Sequence, residues 1–106
     1  MSDAAAPIDL EHLAQYTAGD PEIEAEVLNL FLGNAGEQLA ALAVAADATA
    51  WHDTAHTLKG AARGVGATRV ASLAENAAES ERAGLLDELS QAMAEVRAFV
   101  TALGQA

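Results

Sequence analysis

The strongest constraint on this chain is an apolar spacing near its end. Leu86, Leu89, Met93, Val96, Val100 and Leu103 follow one another at steps of 3, 4, 3, 4 and 3. An α-helix brings residues so spaced onto one face, and a second helix packed on that face removes them from water. Trp51, Ala55, Leu58, Ala62 and Val65 make a second seam, at steps of 4, 3, 4 and 3. No segment alternates with period two, the pattern of a half-buried strand. Of 106 residues, 28 are Ala and 13 are Leu, both strong helix formers. The fold class expected is all-α.

Capping residues divide the chain. Ile8 to Tyr16 reads as a short amphipathic helix with Asp9 as N-cap. Asp20 and Pro21 place an N-cap and an N1 proline in order, and Glu22, Glu24 and Glu26 suit the positive end of the helix that follows. That helix is expected over about 21–46, with Ile23, Val27, Leu30, Phe31, Leu39, Leu42 and Ala46 on its apolar face. Gly33 and Gly36 lie inside it, each costing about 1 kcal/mol against Ala, which implies close packing or access to the surface. Asp47 caps a third helix ended by Gly64-Val65-Gly66. A fourth starts at Ala67 or Thr68 and runs to about Ala83-Gly84, with Val70, Leu73, Ala74 and Ala77 inward. Four long helices with short connections predict an antiparallel four-helix bundle with a short extra N-terminal helix. Residues 1–7 are expected to be a flexible tail, and 8–106 a single domain.

Charge excludes partners. Sixteen acids against five bases give a net −11, which argues against nucleic acid and anionic membrane. No apolar run is long enough to span a membrane. The N-terminus carries neither a basic nor an apolar signal region, and there is no Cys, so a cytoplasmic protein without disulfides is expected. The acids are unevenly placed. From Thr54 to Ala74 there are none, while Lys59, Arg63 and Arg69 give that stretch +3.

His56 lies in that stretch. On a helical wheel centred on it, His52, Lys59, Gly60 and Arg63 all fall within about 60°, while Leu58, Ala62 and Val65 fall about 180–240° away. His56 is therefore expected to face solvent, and Gly60, one turn on, leaves room beside it. A neutral imidazole is a good nucleophile near pH 7. If it accepts a phosphoryl group, Lys59, with support from Arg63, can supply counter-charge. No phosphate-binding loop of a kinase is present, so the chain is not expected to draw the group from ATP.

Ala55-His56-Thr57-Leu58-Lys59-Gly60 and the small-residue run Ala61 to Ala67 resemble the signature of histidine-containing phosphotransfer domains. Asp20-Pro21-Glu22 with Leu30-Phe31-Leu32 is similar to the family's second helix, and Trp51 sits where the family often has an aromatic. The resemblance runs from about Ile8 to the C-terminus. It implies a stand-alone bacterial phosphorelay protein. His56 would accept a phosphoryl group from an aspartyl phosphate on the receiver domain of a hybrid histidine kinase and pass it to a response-regulator Asp, or the reverse. Lys59 would neutralise the phosphate, and Gly60 would clear space for the receiver. It implies no cofactor on this chain, Mg²⁺ belonging to the receiver, and no metal. In the chemotaxis-kinase branch a Glu on the following helix hydrogen-bonds the active His; here Ala78 stands at about that place, with Glu75 and Glu79 nearby. Arg82, read as part of that same helix, is a further candidate for phosphate or docking, and His52 for the docking face.

Rival readings remain open at this point. A non-catalytic acidic helical adaptor would use the +3 stretch to bind a signalling partner without phosphoryl transfer. His52 and His56 at i, i+4 are half a zinc site, but H-E-x-x-H is absent. No Ser–His–acid or Cys–His set is spaced for hydrolysis. His12 reads as an ordinary surface residue, and Arg69 as a cap or an ion-pair partner. An apolar docking surface around His56 is expected, including Leu32 and the Gly33/Gly36 side of the second helix. A monomer is expected.

Overall fold

Three aspartates begin three of the helices. In the computed structural model, which describes residues 7–105, each carboxylate turns back onto the first turn of the helix it starts. Asp9 accepts from the His12 N–H at 3.2 Å, Asp20 from Glu22 at 2.9 Å and Asp47 from Ala50 at 2.8 Å, so donors with no intrahelical partner are satisfied. The elements are α1 (Leu10–Thr17), α2 (Pro21–Ala43), α3 (Ala48–Val65), α4 (Thr68–Glu75), a 3₁₀ turn (Glu79–Glu81) and α5 (Arg82–Gln105). There is no strand among the described residues. The expected tail falls, except for Pro7, outside the described residues.

α2 packs on α3 and α5, and α4 packs on α3 and α5, with α1 laid across α2 and α3. The first residue of α5, Arg82, meets the end of α2, and Leu103 near the end of α5 shares a hollow with Ile23 near the start of α2. These two helices therefore run in opposite directions. The core is one cluster in which Leu13, Leu28, Leu42, Leu58 and Leu89 are fully buried around Trp51 and Phe31. On α3, Trp51, Ala55, Leu58 and Ala62 are buried and Val65 half-buried; on α5, Leu89, Met93, Val96 and Val100 are buried, with Leu86 and Leu103 half-buried. No helix among the described residues is long and apolar enough to cross a membrane.

The structure corrects the expected helices at three places. First, α4 ends at Glu75 and spans eight residues, not the stretch to Ala83-Gly84. The Asn76 side chain donates to the Ser72 carbonyl at 2.9 Å, and Ala78 is extended. Two good helix formers, Ala77 and Ala78, are thus overridden, and Gly84 lies inside the first turn of α5.

Second, α2 ends at Ala43 rather than Ala46, and its buried stripe is Glu24, Leu28, Phe31, Leu32, Ala35 and Leu42. Ile23 and Leu30, expected inward, are exposed. Leu32, expected on the surface, is buried. A buried acid concealed the true stripe. Glu24 is 6% exposed, and the buried Thr17 hydroxyl lies 3.3 Å from its carboxylate.

Third, Arg82 belongs to α5, not to the helix that follows His56. It donates to the carbonyls of Leu42 at 3.1 Å, Ala43 at 3.2 Å and Ala45 at 2.8 Å. Its guanidinium lies 4.9 Å from the Trp51 ring centroid and is paired with Glu79 at 3.1 Å. The carbonyls at the end of α2 form the negative pole of the helix dipole, and one planar cation satisfies them. Arg82 is a structural clamp.

The turn between α3 and α4 fixes the N-terminal segment. Gly66 has φ +77°, and its carbonyl accepts the Asp9 N–H at 2.8 Å. A Cβ at Gly66 would stand 2.8 Å from the Asp9 carbonyl oxygen. Both the left-handed backbone and the crossing chain require glycine here.

Candidate functional site

α3 presents two faces because its sequence alternates them at helical spacing. Its core face anchors the helix; on the other side His52, His56, Gly60 and Arg63 are exposed, and Lys59 is half-buried. Across from this face stands α4. His52, His56 and Lys59 share a hollow of about 60 Å³ with Glu75 of α4. Its remaining walls are Ala55, Ala74 and Ala77, whose small side chains leave the imidazole accessible. The His52 and His56 rings are nearly parallel, 17° apart, with centroids at 6.4 Å, within the range of aromatic pairs. A Cβ at Gly60 would meet no atom within 4 Å, so the fold itself does not require glycine there. The same is true of Gly33, Gly36 and Gly64; the close-packing explanation for Gly33 and Gly36 fails, and both face the surface.

The +3 stretch resolves into unequal parts. Arg63 is ion-paired with Glu75 of α4. Arg69 is paired with Glu95 of α5 at 3.2 Å. Among the described residues, Lys59 is the cation of this stretch with no acidic partner. The structure thus brings His52, His56, Lys59 and Gly60 together, sets Arg63 beside them but engaged, and holds Arg82 against the end of α2 and Glu79. Ala78, at the position of the acid in the chemotaxis branch, lies outside any helix, and Glu79 is held by Arg82.

Two neighbours named in the sequence gain a place at the site that the sequence did not give them. Glu75 enters the site; its signal was that it is the first acid after the acid-free stretch. His12, read as a surface residue, is half-buried, and its Nε2 is buried with no protein partner. It lines an adjoining hollow of about 260 Å³ with Arg63 and Glu75.

The model of the Hpt domain family matches residues 26–106. The chain belongs to the Hpt domain family. Comparison with curated proteins and with solved structures finds no match. Membership assigns this Hpt domain to phosphorelay histidine phosphotransfer in two-component signalling, where Hpt domains generally interact with receiver domains of kinases and response regulators. The matched span contains the whole His56 site and the clamp at Arg82.

Proposed function

We propose that this Hpt domain is a phosphorelay carrier whose acceptor is His56. It takes a phosphoryl group from the aspartyl phosphate of a hybrid-kinase receiver and delivers it to a response-regulator receiver, or runs the same transfer in reverse. The observation that carries this is the company His56 keeps: an exposed imidazole, the unpaired Lys59 one turn away and open space at Gly60.

The step follows from those three residues. A ring nitrogen of His56 directs its lone pair at phosphorus and forms the N–P bond. The P–O bond to the receiver Asp breaks, and its electron pair returns to that carboxylate. The proton on the other ring nitrogen is free to pass to water. Lys59 stabilises the charge on the transferring oxygens. Gly60 lets the receiver's phosphorylated loop approach to bonding distance, and the return transfer uses the same geometry. This chain brings no metal or cofactor; Mg²⁺ sits on the receiver.

The helical arrangement supports reading the fold as an antiparallel four-helix bundle, α2, α3, the short α4 and α5, with α1 as the extra N-terminal helix. We further propose a cytoplasmic monomer with no nucleic-acid or membrane partner, given its charge.

The test is incubation with a phosphorylated receiver domain. The wild type should gain label that is acid-labile and alkali-stable, and His56→Gln should gain none. Binding of the receiver without any label in the wild type would favour the adaptor reading instead.

A further inference from the structure

The chain places an acid beside its candidate phosphoryl acceptor. Glu75 lines the same small hollow as His56 and Lys59. A carboxylate there repels a phosphoryl group that itself carries negative charge. Glu75 is not bare, however: Arg63 reaches across from α3 and pairs with it. The other charged and titratable groups facing the pair are His52, His56 and Lys59 from α3, and Asp9 and His12 from the N-terminal segment. Asp9 already accepts the His12 backbone N–H.

We propose that Arg63 is a positioning residue acting through Glu75. By neutralising that carboxylate it keeps the field beside His56 favourable to phosphoryl arrival, and it does not bind the phosphoryl group itself. This rests on the phosphocarrier reading of His56. Arg63 lies seven residues after His56, about 10 Å along the helix axis, whereas Lys59 is within one turn. The guanidinium is committed to Glu75, and the two side chains are 57% and 51% exposed. A pair that exposed contributes little to folding, so its weight at this site lies in what it does to the local charge.

The test is a double-mutant cycle on the full chain, with a phosphorylated receiver as one donor and phosphoramidate as a second that needs no docking. Arg63→Ala should slow labelling of His56 about fivefold with either donor, the effect of one uncompensated charge near a phosphoryl group in mostly aqueous surroundings. Glu75→Gln should label at the wild-type rate or faster. The double variant should match Glu75→Gln, because nothing is left to neutralise. The Arg63→Ala defect should shrink at high salt, which a structural defect would not do, and all four thermal melts should nearly coincide. Equal losses from Arg63→Ala in both backgrounds would show direct phosphate contact and overturn the inference. So would no loss at all, or a Glu75→Gln variant slower than Arg63→Ala. A wild type that takes no label on His56 overturns the carrier reading and this inference with it, so the two failures are distinguishable.

Discussion

Gly60 should separate stability from transfer. It sits mid-helix in α3, and a Cβ there meets no atom within 4 Å. Replacing it should therefore cost no packing. What remains is helix propensity: Gly is about 1 kcal/mol worse than Ala in a helix interior, and Gln lies close to Ala. For a domain of this size that corresponds to a rise in Tm of about 4–8 °C. Transfer should move the other way. The side chain added at Gly60 projects on the His56 face, into the space through which the proposed mechanism brings the receiver. Displacing reacting atoms by about 1 Å costs about 100-fold, so Gly60→Gln should slow transfer by about 10- to 100-fold, and Gly60→Ala by less. Thermal melts followed by circular dichroism and timed transfer from a phosphorylated receiver measure both. A Gln variant that is more stable and transfers at the wild-type rate refutes the clearance argument. A variant that melts lower refutes the description of Gly60 as unpacked.

Lys59→Ala should slow transfer about tenfold or more while leaving the melting curve nearly unchanged, and Lys59→Arg should recover part of the rate; an Ala variant at wild-type speed removes Lys59 from the mechanism. Arg82→Ala should do the reverse. Losing charged hydrogen bonds to three carbonyls of the α2 end should cost about 2–3 kcal/mol, a drop in Tm of roughly 10 °C or more, with transfer unchanged well below the melting point. A transfer defect in a folded Arg82→Ala protein would return that residue to the site.

Legibility in the sequence followed the physics of each signal. The seams of α3 and α5 were readable because every core position in them is apolar, so the period was unbroken. The stripe of α2 was legible only in part: Val27, Phe31, Leu39 and Leu42 pack inward as expected, but Glu24, a charged residue at a core position beside Thr17, hides the phase that buries Leu28, Leu32 and Ala35. The end of α4 was missed because Ala77 and Ala78 favour helix locally, while the Asn76 side-chain bond and the docking of Arg82 on α2 are tertiary events. At the site, His56, Lys59 and Gly60 were legible because one helix carries all three at fixed angles. Glu75 was legible only as an acid near the expected place, since its approach to His56 depends on how α4 lies on α3. Arg63 showed its charge but not its partner. A count of +3 along the chain therefore overstated the free positive charge, most of which acids from α4 and α5 neutralise.

The most direct test is to locate the phosphoryl group. The chain has three histidines, His12, His52 and His56, and two of them stack against each other. Labelling by a phosphorylated receiver, followed by peptide mapping under alkaline conditions that preserve the N–P bond, distinguishes them. The account predicts the phosphoryl group on His56 alone. Label on His52 or His12, with His56 unmodified, would contradict it.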